Sequence, residues 1–482
     1  MRIARPLFAA ASVALLCACT VGPRYAPPAT PAAGDGGFAS ANARVFSPAP
    51  PPADWWRLYD DPALDRLVRK ALTENADLKA AAANLARARG ALEQARVGLF
   101  PSTDLSAGGS YGKSSTSNLV SALTGAPAKA GWVFDGSLDV SYEVDLFGRV
   151  RRTIEAARAD AQAVAAAQDL VRVSVAAETT RAYADACAYA QSLEVARRSE
   201  GLARQLYDLT AKQRDLGARS DVDVSRAGVI LAQARAAIPG LEGQRRTALF
   251  ELAVLTGDPP ELVSREAGAC KAPPRLSQLL PSGDGASLLR RRPDVREAER
   301  TLAADVARIG VAEADYFPSV RLNGDAATAG SNWRQLTSSQ GFSWGLGPLI
   351  TWSFPNILAA RAEVHQARAQ ASGDIARFQS RVLTALKEVE EALTAYASEL
   401  ARNAALRDAR EQSYRAYQLA QVQLQNGAIG FPDLLQDERT LMQAESDLAA
   451  SDQAVVSDQV TVFKTLGGGW EAAPPVVPPK AP

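Results

Sequence analysis

Few side chains in this sequence could do chemistry. Among 482 residues there are four cysteines and one histidine. His365 lies in "AEVHQARAQA", a helical surface pattern, and reads as a solvated residue rather than a ligand. No CxxC, HExxH, GxSxG or phosphate-binding glycine loop occurs. An enzyme would have to work with carboxylates alone, and none is paired in a recognisable catalytic motif. Cys187 and Cys270 could pair in an oxidising compartment, but two cysteines are no disulfide framework. Cys187 sits in an Ala-rich helical pattern, which favours a buried or lone thiol. Lys plus Arg and Asp plus Glu number 53 each, so the net charge is zero and nothing points to nucleic acid.

The other two cysteines, in "LLCACTVGPRY", close an apolar run. Arg2 and Arg5 form a basic start, and Leu7 to Leu16 are apolar but too short to span a bilayer, so residues 1–18 read as a secretory signal. The site resembles a bacterial lipobox, in which a lipid-modified cysteine becomes the first mature residue. Cys17 follows Leu16, whereas cleavage wants a small residue there; Cys19 follows Ala18, with Leu16 three back. The expectation is cleavage at Ala18–Cys19 and an N-acyl diglyceride on Cys19. Ordinary cleavage near Ala18, leaving Cys19 a free thiol, is the alternative. Thr20 is compatible with sorting to the outer membrane. Beyond the signal no segment holds eighteen uncharged apolar residues. The mature chain therefore either stays outside the bilayer or crosses it as β-strands.

The elements that would position any site come in two copies. "NADLKAAAANLARARGALEQARVGLFPS" (75–102) lines up at constant offset with "RPDVREAERTLAADVARIGVAEADYFPS" (292–319). Leu78, Leu85, Leu92 and Leu99 match Val295, Leu302, Ile309 and Tyr316, a stripe down one helix face. Tyr207, Leu209, Gln213, Gly217, Asp223, Leu231 and Gln233 likewise match Tyr417, Leu419, Gln423, Gly427, Asp433, Leu441 and Gln443. The reading is a tandem duplication: a first repeat at 54–260, a Pro/Gly-rich connector at 261–284 and a second repeat at 285–470. Residues 19–53 form an N-terminal linker without helical periodicity. At about 3.3 Å per residue it could reach near 100 Å from Cys19, with packing beginning at Trp55 and Trp56. The Pro-rich tail 471–482 reads as disordered.

Each helix ending in Phe-Pro-Ser leads into period-two sequence. In "WVFDGSLDVSYEV" Trp132, Phe134, Leu138, Val140, Tyr142 and Val144 alternate with Asp135, Ser137, Asp139, Ser141 and Glu143. Leu105, Ala107 and Tyr111 alternate with Asp104, Ser106 and Ser110; Val320, Leu322 and Ala326 alternate with Arg321, Asn323 and Asp325. Phe342, Trp344, Leu346, Ile350 and Trp352 complete a fourth strand. The hairpins are placed at 102–144 and 319–354, with joins at 113–131 and 330–340. Lipid offers backbone groups no partner, so a spanning sheet must close. Four strands cannot close, since the smallest barrels have about eight. The chain must oligomerise, and a trimer would give twelve. The inward face would be polar and acidic: Asp104, Asp135, Asp139, Glu143 and Asp325, relieved by Arg321.

Each hairpin is followed by a long Ala-rich helical stretch, from about Arg149 to Leu216 and from about Leu358 to Asn426. At about 1.5 Å per residue each would run roughly 100 Å. Each then turns at Gly217 or Gly427 and returns as a second helix.

On "CTVGPRY", "DWWRLYDDPALDRLV", "ALFELAVLTGDPP", "LLRRRPDVREAERTLAADVARIGVAEADYFPSVRLNG" and "FKTLGGGW" the chain resembles the outer membrane factors of tripartite efflux pumps, in the nodulation-protein-T-like lipoprotein branch. The resemblance implies an α+β membrane protein. It would be a homotrimer with a twelve-stranded transmembrane β-barrel, four strands per chain, continued by a periplasmic α-helical coiled-coil barrel with an equatorial domain. It implies a periplasmic adaptor (membrane fusion protein), an inner-membrane transporter of the resistance-nodulation-division class, and no cofactor or metal. It also implies a gate at the helix tips, closed by rings of aspartate. The matching stretches are "GARSDVDVSRA" (217–227) and "GAIGFPDLLQDER" (427–439). Asp223 and Asp433 would form the rings, with Asp221 nearby and Arg219, Arg226 and Arg439 as latches. Where some members carry a second aspartate this chain has Gln436, with Asp437 next. Asp is also favoured in a first helical turn, so both aspartates could serve as caps as well. A type I protein-secretion duct shares this fold, and a lipid-anchored coiled-coil rod is the reading from a different class. The lipobox and Arg292-Pro293-Asp294-Val295 favour efflux, and a rod does not explain the strands.

Overall fold

The computed structural model describes residues 20–29, 36–113, 123, 125, 130–262, 264–339, 341–354 and 357–478. The signal region, Cys19 and most of the join 113–131 lie outside the described residues. The chain forms two compact units. The first holds the chain up to Pro28, Arg87–Ala163 and Ala298–Arg377; the second holds Ala29–Ala86, Val164–Glu297 and Phe378–Pro482. The main elements are α1 (Pro62–Glu74), α2 (Ala76–Val97), β1 (Ser102–Gly112), β2 (Gly131–Val144), α3 (Arg149–Asp215), α4 (Asp221–Leu255), α5 (Gly285–Arg291), α6 (Pro293–Ala314), β3 (Ser319–Gly330), β4 (Phe342–Thr351), α7 (Ile357–Gln425) and α8 (Phe431–Thr465). The Ala-rich stretches are unbroken: α3 has 67 residues and α7 has 69.

The first unit is built on one antiparallel sheet in the order β1-β2-β3-β4. Its register puts Leu105, Leu138, Ala326 and Trp344 side by side in one row. Opposed residues point to the same face of a sheet, so the four period-two patterns merge into one apolar face and one polar face. The apolar face is bare: Leu105 is 83% exposed, Trp344 73% and Leu346 72%. Among the described residues β1 and β4 each have one neighbour, leaving two open edges. At the foot of the sheet Phe147 stacks on Phe317 with ring centroids 4.5 Å apart. Asp145 accepts from the N–H groups of Val150 and Arg151, both at 3.0 Å, which caps the start of α3.

The second unit holds the main core. Trp55 is fully buried and stacks on Phe463 of α8 at 4.6 Å. Leu64, Val68 and Leu72 of α1, Tyr183 and Cys187 of α3, and Val389 and Leu393 of α7 join it. The Arg292-Pro293-Asp294 segment is a clasp at the start of α6. Arg292 is buried and grips Asp294 with two hydrogen bonds, at 2.9 and 2.7 Å. It also donates to Glu388 of α7 at 2.6 Å and to the Thr465 carbonyl at 3.1 Å. Burial pushes the Asp294 carboxyl up, but the Arg292 guanidinium outweighs it and holds the group below the usual carboxylate range.

Three expectations change. Cys187 is not a lone thiol: it is disulfide-bonded to Cys270, with Cα atoms 5.2 Å apart. The connector folds back over α3, which helical periodicity around Cys187 could not show. The linker is not slack over its length. Phe38 and Phe46 are buried, Glu390 accepts from the N–H groups of Ala39 and Ser40 at 2.8 and 2.9 Å, and Phe46–Ser47 pairs in parallel with Leu280–Pro281. The tail is held too. Glu471 pairs with Arg291 at 2.5 Å, and Ala473 and Val476 pack on the core; 479–482 lie outside the described residues. In both segments isolated apolar residues join the main core, which leaves no periodic trace in the sequence.

The disulfide spans 83 residues. In the chain-entropy account, closing such a loop stabilises the fold by about 4.5 kcal/mol. Cys270→Ser, or reduction of the native protein, should lower the unfolding free energy of the helical region by a matching amount, read as a fall in its denaturant midpoint. Identical midpoints with and without reductant would remove the staple from the stability of this fold.

Candidate functional site

Two clusters, one in each unit, collect the residues singled out in the sequence. The first is the polar face of the sheet. Asp104, Asp139 and Asp325 are direct cross-strand partners and stand in one row, with Gly345 completing it on β4. Glu143 lies opposite Arg321 and takes its guanidinium at 3.4 Å. Asp135 sits farther along β2, opposite Gly108 and Ala329. Serines and an asparagine knit the face: Ser137 donates to Asp139 at 2.7 Å and Ser141 to Asn323 at 2.8 Å. Like charges in directly opposed positions repel, so three adjacent carboxylates require water around them.

The second cluster is the pair of helical tips. α3 and α7 end alike. Gly217 and Gly427 take the left-handed conformation, φ 77° and 71°. The next N–H closes back on the helix, Ala218 to the Gln213 carbonyl and Ala428 to the Gln423 carbonyl, each at 2.8 Å. Glycine adopts that conformation without a Cβ penalty, which is why both helices stop there. α4 then starts with a capping box. The Ser220 hydroxyl accepts from the Asp223 N–H at 3.3 Å, while Asp223 accepts from the Ser220 N–H at 3.2 Å and from its hydroxyl at 2.8 Å. Asp433 accepts from the Gly430 N–H at 2.9 Å at the equivalent place on α8. The Ser220 hydroxyl and N–H hold the Asp223 carboxyl below the usual range, so it stays ionised.

The arginines divide. Arg219 lies over the Phe431 ring at 4.9 Å and donates to Gln213 at 3.1 Å, tying the end of α3 to the start of α8. Arg226 comes within 4.0 Å of Asp223. Asp221 takes Arg214 at 3.2 Å, an ion pair outside the expected set. Arg439 is exposed and, among the described residues, pairs with neither Asp223 nor Asp433. It lines a 610 Å³ groove between α3, α4 and α8, with Val195, Ile230, Gln233, Leu241 and Met442. Gln436 is exposed and Asp437 half-buried.

Glu438 is the residue that motif comparison passes over. It falls on the helix face of Phe431, Leu434, Leu435 and Leu441, all buried in the tip cluster with Ile230 and Tyr417. A charge inside an apolar stripe at helical spacing is the signal that could have found it. Its exposure is 0%, and neither carboxylate oxygen has a hydrogen-bond partner among the described residues. Burial pushes its pKa up to about 7. Burial, followed by the charge of Glu438, likewise pushes the Tyr417 phenol up to about 12.

A sheet apolar on one side, polar on the other and open at both edges, in a chain that also forms two long helical hairpins, fits one chain of a membrane-crossing channel. Comparison with known proteins agrees. The profile of the family described as outer membrane efflux protein matches residues 67–258 and 286–468. Nodulation protein T of Rhizobium leguminosarum bv. viciae is 30% identical over 482 residues, covering 98% of this chain and 95% of the relative. The antibiotic efflux pump outer membrane protein ArpC of Pseudomonas putida is 28% identical over 466 residues, covering 95% and 94%. The outer-membrane channel OprN superposes with a TM-score of 0.86 at 32% identity, covering 94% of this chain and 100% of that one. The chain belongs to the outer membrane efflux protein family. It is an outer-membrane exit duct for efflux, extending into the periplasm.

Glu438 makes the tip pH-sensitive. Its folded pKa lies above the ordinary glutamate value, so its protonated form favours packing. Tip stability should be full below about pH 4.5, fall as pH rises towards 7, and be lowest above that. Amide exchange across 434–441, corrected for intrinsic catalysis, should show opening that grows through this window. Glu438→Gln should flatten the dependence; an equal slope in both proteins would disprove the assignment.

Proposed function

We propose that three copies of the chain close one twelve-stranded barrel whose joined polar faces line a water-filled passage for drugs or other small toxic compounds. The observation that carries this reading is the four-stranded sheet with two open edges and a bare apolar face. In hydrocarbon each unpaired backbone group costs several kcal/mol, so β1 of one copy must pair with β4 of the next. Two copies would give eight strands, an interior that side chains fill; three leave a channel. Exposed apolar residues near the tips, Leu216 at 84%, Val222 at 57% and Val229 at 50%, suit helical packing between copies or against another helical protein.

In this reading Asp223 and Asp433 each recur three times around the periplasmic end, with Asp221 and Asp437 adding charge nearby. The rings narrow the opening, and Arg219, Arg226 and Arg439 hold the closed state, Arg439 across copies. Capping and gating coexist, because the hydrogen bonds that cap the helix hold the Asp223 carboxyl below the usual range. A periplasmic adaptor docks at the helical tips, and an inner-membrane transporter of the resistance-nodulation-division class supplies the energy. The chain itself performs no catalysis. Cys19 carries the N-acyl diglyceride and anchors the protein to outer-membrane lipid. Relatives named for antibiotic and toluene efflux support a small-molecule cargo.

Scattering mass of detergent-purified protein should give three copies, and a stable folded monomer would overturn the assembly. Asp223→Asn with Asp433→Asn keeps an acceptor at each cap but removes the charge. Single-channel conductance in planar bilayers should then rise severalfold; unchanged conductance would rule out the aspartate gate.

A further inference from the structure

The turn between β3 and β4 lies on the apolar side of the sheet. A short helix, Trp333–Leu336, fills it. Thr328 stands opposite Phe342, so the two share the apolar face. The Thr328 hydroxyl donates to the Leu336 carbonyl at 2.7 Å. Gly330 lies opposite Phe134 on the same face, and a Cβ on it would come 2.6 Å from the Gln335 Cβ. Positions on that face thus point at the turn, which leans outward over the apolar side and not across the polar face. Within the turn the Asn332 side chain accepts from the Gln335 N–H at 3.1 Å. Gln335 in turn accepts from the Ser331 N–H and hydroxyl, both at 2.8 Å. This fixed turn holds Trp333 76% exposed.

Aromatic rows give its height. Tyr111, Trp132 and Phe134 form a ladder at the join end of the first hairpin, with successive ring centroids 5.6 and 5.7 Å apart. Phe342 stands at the same end of β4. Tyr142 on β2, and Trp352 and Phe354 just past β4, mark the foot. Trp132 and Tyr142 are ten residues apart, as are Phe342 and Trp352. At about 3.4 Å per residue and a tilt of about 40°, the rows lie about 25 Å apart, the height of the apolar band of an outer-membrane barrel. Aromatic rings favour the two boundaries of that band. The long helices leave from the foot, so the turn stands at the opposite boundary, level with the headgroups of the outer leaflet.

Charge points the same way. Arg334 is exposed and has no carboxylate partner among the described residues. Lys113, Lys129 and Arg334 are the only charged residues in the joins 113–131 and 330–340, and residues 105–134 and 326–362 contain no aspartate or glutamate. An open guanidinium next to an exposed indole, at the edge of a lipid-facing surface, matches a phosphate carried on acyl chains.

We propose that the β3–β4 turn is a ledge for an anionic lipid of the outer leaflet, with Trp333 set into the boundary above the acyl chains and Arg334 taking a headgroup phosphate. The ledge requires the sheet to cross the outer membrane and is independent of the number of copies that close the wall.

The test uses the full-length protein purified in detergent, with lipid A (a glycolipid bearing two phosphates) or phosphatidylcholine added, and counts retained lipid by native mass spectrometry. The parent should retain lipid A in preference. Arg334→Gln should weaken lipid A retention about fivefold and leave phosphatidylcholine unchanged, and Arg334→Lys should restore most of the loss. Equal lipid A retention in the parent and Arg334→Gln, or equal loss of both lipids, overturns the phosphate site. A second measurement places Trp333 in bilayers of brominated lipid, its fluorescence taken as the parent spectrum minus that of Trp333→Phe. Bromines near the headgroup end of the chain should quench it more than bromines deep in the chain. A Trp333 quenched by neither, or most by the deep bromines, overturns the ledge.

Discussion

A peptide group in hydrocarbon can satisfy its N–H and C=O only with another peptide group. β2 and β3 meet that demand within the chain, each lying between two strands, whereas β1 and β4 meet it on one side only. The open edges are eleven and ten residues long. At several kcal/mol for each unpaired group, their cost in lipid exceeds the 5–15 kcal/mol that holds a typical domain folded. A single copy therefore has no stable membrane-embedded state. Completing the wall with further copies removes the cost and encloses a space in the same step. The side-chain pattern matches that outcome, with tryptophan and leucine where lipid would lie and three aligned aspartates where only water could be tolerated.

The helices face a different problem. Ala-rich surfaces bury little apolar area per residue, so long helices of this kind gain modest stability from each turn of contact. The second unit answers with concentrated tie points. Trp55 stacks on Phe463, Arg292 binds Asp294, Glu388 and the end of α8, and a disulfide pins the connector to α3. A buried arginine bound to two carboxylates and a carbonyl fixes geometry as well as energy, since its planar fork accepts partners in few directions.

At the tips, the residues proposed for the gate are the ones that cap the helices. An aspartate in the first turn of a helix satisfies free N–H groups and favours the positive end of the helix dipole. Asp223 and Asp433 both accept at such a helix start, and the Ser220 hydroxyl and N–H hold the Asp223 carboxyl below the usual range; the proposed gate would need no separate scaffold. Glu438 is the opposite case, a carboxyl with no partner held among apolar side chains. Its cost to the tip is the penalty of burying a group that ionises near neutrality, which couples packing there to proton concentration.

Alternation, heptad spacing and duplication are local or one-dimensional properties, and the residues alone determined them: four half-polar strands, two pairs of long helices turning at Gly217 and Gly427, and acidic residues at matching places. The Arg-Pro-Asp-Val segment is equally legible as a pattern. Juxtapositions across the chain were not. Cys187 and Cys270, the clasp of Arg292 on Glu388, the row joining Asp104 to Asp139 and Asp325, and the hold of Arg152 on Val21 and Gly22 all link residues far apart in sequence. No periodicity records such pairs, because each depends on how the elements are brought together. The docked linker, the ordered start of the tail and the burial of Glu438 belong to the same class. Whether an isolated apolar or charged side chain meets solvent or a pocket is decided by its neighbours in space, and only the tertiary structure supplies those.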